Sequence, residues 1–303
     1  MTAVVPTAAP PGPSSPPTPT SLAGTAAAPV QPWSRRATWT VRAIGIAAVV
    51  SVGFTVWLGL WVTPPDQVMG NYVRLVYVHP AVAWISLYVS FGLGFVASLL
   101  WLWPRTRARR WDRLAAASME VSVVYTALML VTGSIWGRTT WGVWWAWDAR
   151  LTFSALLLVL LLGYLALRQV PADPDTRARR SAIAALVAAV DVPIIHFSVN
   201  WWATLHQKAS ILTPSGHTDI HGSMAWTMLL GFVAFTLVYV YQLCLRARIE
   251  LLRERLEGEE LHTALTERQA EAGLARPTAA VVAAGVAPVA APGSPDTPGG
   301  MQP

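Results

Sequence analysis

Six apolar stretches, near residues 43–62, 81–103, 114–136, 151–167, 181–202 and 222–245, constrain this chain more than any motif does. Five are about 20 residues or more, enough to cross a hydrocarbon core of roughly 30 Å at 1.5 Å per residue. The fourth is shorter and needs help from its flanks. Only Glu120 and Asp191 interrupt them with charge. Backbone polar groups in lipid must bond within their own segment or close into a barrel, and the alternating pattern of barrel strands is absent. The expectation is an all-α polytopic membrane protein with six transmembrane helices. Composition agrees: 13% of the 303 residues are charged and mean hydropathy is +0.44, whereas soluble domains carry about 25% charged residues.

Arginine placement orients the spans. Clusters lie before the first span (Arg35, Arg36, Arg42), in the second connection (Arg105, Arg107, Arg109, Arg110, Arg113), in the fourth (Arg168, Arg177, Arg179, Arg180) and after the sixth (Arg246, Arg248, Arg253, Arg255). The other three connections hold only Arg74, Arg138, Arg150 and Lys208. This alternation predicts both termini in the cytoplasm and connections one, three and five facing outward. A net charge of +6 would suit nucleic acid, but the cations sit in short clusters between apolar runs, and that placement argues against a nucleic-acid partner. A single cysteine, Cys244, excludes an internal disulfide, a CxxC redox pair and a CxxCH haem-attachment site.

The domain plan follows: residues 1–36 a disordered cytoplasmic tail, 37–245 the six-span domain, 246–272 a charged cytoplasmic helix and 273–303 a second disordered tail. The charged helix has a partial apolar face of leucines. It suits a partner helix, a membrane surface or a solvated extension of the last span.

The third connection, WGRTTWGVWWAWDARLT over 136–152, holds five of the 16 tryptophans: Trp136, Trp141, Trp144, Trp145 and Trp147. An interfacial belt accounts for one or two tryptophans per helix end. If 141–148 is helical, Trp141, Trp144, Trp145 and Asp148 share one face, a flat apolar platform on which a planar π-system stacks. Asp148 is a candidate to cap or orient the segment, and Arg138 and Arg150 are candidates to bind carboxylates. Two histidines, His79 in YVHPAVAW and His206 in NWWATLHQKAS, fall at the same membrane level. Imidazoles flanking an aromatic platform suggest axial ligands for a haem iron. His196 reads as a structural hydrogen-bonding residue, Asp191 as a group needing an interior partner, and His221 as the more significant of the two loop histidines. His262 reads as solvated.

WGVWWAWDARLT, VTGSIWG, VPIIHFSVNWWATLHQ and YVHP together resemble the tryptophan-rich WWD superfamily of haem-handling proteins, and within it the haem exporter protein C (CcmC) family of bacterial cytochrome c maturation. The resemblance covers roughly residues 40–245. It implies six spans in the bacterial cytoplasmic (inner) membrane, an outward (periplasmic) WWD segment, and His79 and His206 as ligands of a non-covalently held haem b. It further implies presentation of that haem to the periplasmic chaperone CcmE, with the single-span protein CcmD and the ABC-transporter subunits CcmA and CcmB as partners, and a transport role rather than catalysis. Asp191 departs from the family pattern, where an uncharged polar residue is usual. Alternatives are a cytochrome c haem-lyase (synthetase) component of the same superfamily, a secondary transporter, and a structural scaffold.

Overall fold

The computed structural model describes residues 33–207 and 220–284, the stretch 273–284 by its backbone alone. Most of the two expected tails, with Lys208 and His217, lies outside the described residues. Among the described residues there are eight α-helices: α1 Arg35–Trp57, α2 His79–Trp84, α3 Phe91–Leu102, α4 Arg109–Thr140, α5 Ala149–Gln169, α6 Pro174–Ala189, α7 Asp191–Trp201 and α8 Gly222–Ala284. Among the described residues no strand forms beyond an isolated bridge between Asp66 and Gly70. A wide π-helical turn over Leu58–Val62 extends α1, and another over Ile85–Ser90 joins α2 to α3. Counted this way, six helical segments among the described residues are long and apolar enough to cross a membrane: 35–62, 71–102, 109–140, 149–169, 174–201 and 222–272. The short fourth stretch gains two residues at each end, and at its start the Asp148 carboxylate caps α5 by accepting the Leu151 N–H at 2.9 Å.

The α4 helix is the central pillar, with α2, α3, α5 and α8 packed on it, while α1 lies along α8. In hydrocarbon, apolar burial does not drive helices together, so close packing and interhelical hydrogen bonds must. Such a seam joins the second span to α4. The Ser86 and Thr126 hydroxyls meet at 2.8 Å, and Ser118 donates to the Ser90 carbonyl at 2.7 Å. Ser86, Ser90, Ser118, Ser122 and Thr126 are all fully buried. This seam fixes the height of α2 against α4 and therefore the height of His79.

The fifth span is broken. α6 stops at Ala189, Val190 forms a turn, and α7 restarts at Asp191 with Pro193 in its first turn, where a missing N–H is tolerated. Asp191 does face the interior, at 4% exposure, but neither carboxylate oxygen finds a hydrogen-bond partner among the described residues. His196 is not its partner. α7 is regular from Asp191 onward, so residues five apart point about 140° away from each other.

At the arginine-rich end, the charged start of the α8 extension is clamped to the bundle. Arg168 grips Asp112 at 2.7 and 3.2 Å and approaches Glu250 at 3.8 Å. Arg113 pairs with Glu254 at 2.6 Å, and Arg177 holds Glu257 in a two-pronged contact at 3.0 and 2.8 Å. Glu120, the charge in the third span, sits 3.3 Å from both Arg246 and Arg253. Up to Glu257, then, the extension docks on its own protein. His262 and its neighbours are exposed, and the helix continues past residue 272 to Ala284.

Candidate functional site

The Trp-rich connection is not a helix. α4 ends at Thr140, Gly142 adopts φ +78°, and α5 begins only at Ala149. A left-handed residue ends an α-helix and comes easily only to glycine. The expected single helical face of Trp141, Trp144, Trp145 and Asp148 therefore does not form, and the tryptophans divide. Trp136, on the last turns of α4, lines a cavity with Trp141 and Trp145. Trp144 and Trp147 turn away, 59% and 80% exposed. The loop is stitched back onto α4: Ser134 Oγ donates to the Trp144 carbonyl at 2.7 Å, and Arg138 donates to the Gly142 carbonyl at 2.6 Å. Arg138 thus closes the turn and does not line the cavity. Trp141 packs over Gly137, where an added Cβ would meet its ring at 3.0 Å.

The cavity encloses about 960 Å³, near the top of the roughly 300–1,000 Å³ usual for cofactor and ligand pockets. Its walls come from the second, third, fourth, fifth and sixth spans and the Trp-rich loop, and they are mainly apolar and aromatic. His79 and His206, 127 positions apart, both open onto it.

Each imidazole has its Nδ1 engaged. His79 is the first residue of α2, followed by Pro80, which suits a first helical turn, and its Nδ1 lies 2.9 Å from Thr132 Oγ1. The His79 ring stands edge-on to Trp136, centroids 5.5 Å apart at 82°. His206 lies in the irregular segment after α7, with Nδ1 2.9 Å from the Gln207 carbonyl. A carbonyl only accepts, so Nδ1 carries the proton and the His206 Nε2 lone pair is free. Burial, reinforced by the Arg150 guanidinium, holds the His206 imidazole down at about 4, so the ring is neutral at pH 7. Trp141 packs against it, centroids 6.1 Å apart.

Asp148 connects the two halves. While Oδ1 caps α5, Oδ2 accepts the Leu205 N–H at 3.0 Å. One carboxylate therefore fixes the end of the Trp-rich loop and the residue before His206. The sequence suggested a capping or orienting role; the second bond, 57 positions away, has no local signature.

One donor on the cavity wall is unspent. The Arg150 guanidinium makes no hydrogen bond or ion pair to a described residue, whereas the Trp145 indole Nε1–H, also without an acceptor, is buried away from the open space. A buried donor without a partner costs free energy unless a ligand satisfies it. The set suits a large planar π-system carrying a metal that accepts nitrogen and a carboxylate edge: aromatic walls, the imidazoles of His79 and His206 beside that of His196, and an arginine. Haem has all of these features.

Other wall residues were not picked out as ligand contacts from sequence. Tyr88, in the π-helical turn, hydrogen-bonds through its hydroxyl to His196 Nδ1 at 2.6 Å, tying the second span to the fifth across the cavity wall. This gives His196 the hydrogen-bonded role expected of it. Met129, Asn200 and Phe232 also line the wall, and only their periodicity within apolar helices hinted at an inward face. His221, just before α8, is not on this wall.

A family model described as Heme exporter protein C matches residues 25–262. A Heme exporter protein C from Bradyrhizobium diazoefficiens is 36% identical over 235 residues, covering 77% of this chain and 82% of that protein. The Heme exporter protein C of Escherichia coli K12 is 36% identical over 200 residues, covering 64% and 78% respectively. A plant protein from Arabidopsis thaliana, described as a putative cytochrome c biosynthesis ccmC-like mitochondrial protein, is 34% identical over 233 residues, covering 77% and 84%. With the match spanning all six spans and the Trp-rich loop, the chain belongs to the heme exporter protein C family.

Proposed function

We propose that this protein holds haem b non-covalently at the outer face of the bacterial cytoplasmic membrane, with His79 and His206 as the two axial ligands. From there it presents the haem to the periplasmic chaperone CcmE for cytochrome c maturation. The observation that carries the reading is the convergence of His79 and His206, beside the Tyr88-bonded His196, with an aromatic wall and the unspent Arg150 guanidinium in one cavity. Trp136, Trp141 and Trp145 would flank the macrocycle, and Arg150 would receive a propionate, since guanidinium matches carboxylate in a two-pronged geometry. Trp144 and Trp147 stand outside the cavity, on the face a chaperone would approach.

The alternation of arginine clusters supports an outward Trp-rich end and cytoplasmic termini. CcmD and the ABC-transporter subunits CcmA and CcmB, named by family resemblance, are the membrane partners. In this role the affinity must be moderate, because the haem is handed on.

The test is the absorption spectrum of the purified protein. The parent should carry six-coordinate low-spin haem, each single His→Ala variant should bind it more weakly with an altered spectrum, and the double variant should bind none. A double variant with the parent's spectrum would transfer the ligand role to other residues.

A further inference from the structure

Resting on the reading of His79 as an iron ligand, we propose that Thr132 and Gly133 of α4 are positioning residues. Together they form a seat that fixes the tautomer and the place of the His79 imidazole. The argument starts from protons. Thr132 Oγ1 lies 2.7 Å from the Leu128 carbonyl, and we assign its hydrogen to that shorter contact. The same oxygen lies 2.9 Å from His79 Nδ1 and, in this assignment, accepts there. Nδ1 then carries the ring proton, which leaves the Nε2 lone pair bare. A Leu128 carbonyl, reached through one hydroxyl, thus decides which nitrogen faces the iron.

Sterics complete the seat. A Cβ on Gly133 would stand 3.0 Å from His79 Cε1, well inside the roughly 3.5–4.0 Å of a comfortable carbon–carbon contact. Cε1 lies between the two ring nitrogens, so any side chain at 133 pushes the ring away from Thr132 and out of line. Trp136, one turn further along α4, closes the other side edge-on at 5.5 Å. Three residues at i, i+1 and i+4 of one rigid helix thus define the ring. His206 is held differently, by the carbonyl of its own neighbour and by Asp148 through Leu205.

The experiment is haemin titration of detergent-purified protein, read by absorption, electron paramagnetic resonance and midpoint potential, in Thr132→Val, Thr132→Ser, Gly133→Ala and His79→Ala. Outer hydrogen-bond partners of metal-bound histidines typically change affinity 10–100-fold. Thr132→Val keeps the shape and removes the acceptor. It should weaken haem about tenfold, reduce the low-spin fraction and raise the midpoint potential, because an imidazole that no longer donates from Nδ1 is a poorer donor to ferric iron. Thr132→Ser should restore all three. Gly133→Ala should show high-spin haem with Thr132 intact; if that variant does not accumulate, the Thr132 pair decides. Parental spectra, affinity and potential in Thr132→Val would overturn the proposal, as would a Thr132→Ser as impaired as Thr132→Val. Should His79→Ala retain the parent's low-spin spectrum, it is the ligand reading itself that fails.

Discussion

Asp148→Asn isolates the connection between the Trp-rich loop and the His206 segment. The carboxylate serves two backbone donors, Leu151 N–H at 2.9 Å and Leu205 N–H at 3.0 Å. An amide has one acceptor oxygen. Whichever N–H it serves, its NH2 confronts the other, so the variant retains one bond and loses one. A hydrogen bond to a charged group contributes about 1.5–3 kcal/mol. Asn is as good a helix cap as Asp, so the oxygen has a place on α5 and the Leu205 bond is the one released. If half of that lost energy had been holding His206 in its ligating place, haem affinity falls by about three- to tenfold, at 1.4 kcal/mol per decade. Asp148→Ala should lose the same affinity and, in addition, the cap, worth about 1 kcal/mol of stability. The assay is haemin titration beside thermal unfolding of the ligand-free protein in the same detergent. Asn should show a deficit mainly in haem affinity, Ala in both. Parental haem affinity in Asp148→Asn would refute the claim that this carboxylate positions His206.

Three further outcomes are expected. Trp145→Ala should lower haem occupancy, whereas Trp144→Ala and Trp147→Ala should leave occupancy intact and slow transfer to the chaperone, because only Trp145 lines the cavity; equal effects on occupancy in all three would contradict this division. The His206 imidazole, held at about 4 against an ordinary 6.5, stays neutral as the pH falls from 7 to 5. Haem affinity should therefore be flat over that range and drop near pH 4. The unfolded chain takes up the proton below 6.5, so the ligand-free protein loses about 1.4 kcal/mol for each pH unit between 6.5 and 4; an affinity that declines steadily from pH 7 argues against a shielded ligand. Reporter fusions after Arg109 and after Trp141 should report opposite sides of the membrane, and the same side for both would end the orientation argument.

How much of the site could be read from sequence depends on the range of the interactions that build it. The spans were legible because lipid imposes one rule on every residue of a segment, and an apolar run longer than about 20 residues has few other uses. The Trp-rich loop was legible in composition but not in conformation. Its helical reading followed the spacing of Trp141, Trp144, Trp145 and Asp148, while Gly142 at φ +78° and Asp148 as the cap of α5 carried the contrary signal. Those two residues mark a stop and a start, and weighting them above the aromatic period gives the observed loop. The pairing of His79 with His206 in one cavity rested on membrane level, which charge alternation supplies. Tyr88 with His196, Thr132 with His79, and Asp148 with Leu205 were out of reach, because contacts 108, 53 and 57 positions apart leave no periodic trace. The clamp of α8 lay between these extremes. Its charges were evident, but that Glu250, Glu254 and Glu257 face Arg168, Arg113 and Arg177 depends on how the other helices are arranged around α4. Residues that meet the cargo are thus marked by their chemical type, whereas residues that hold them in place are marked only by position in the fold. Ordinary residues such as Thr132 and Gly133 therefore emerge as candidates only once the bundle is assembled.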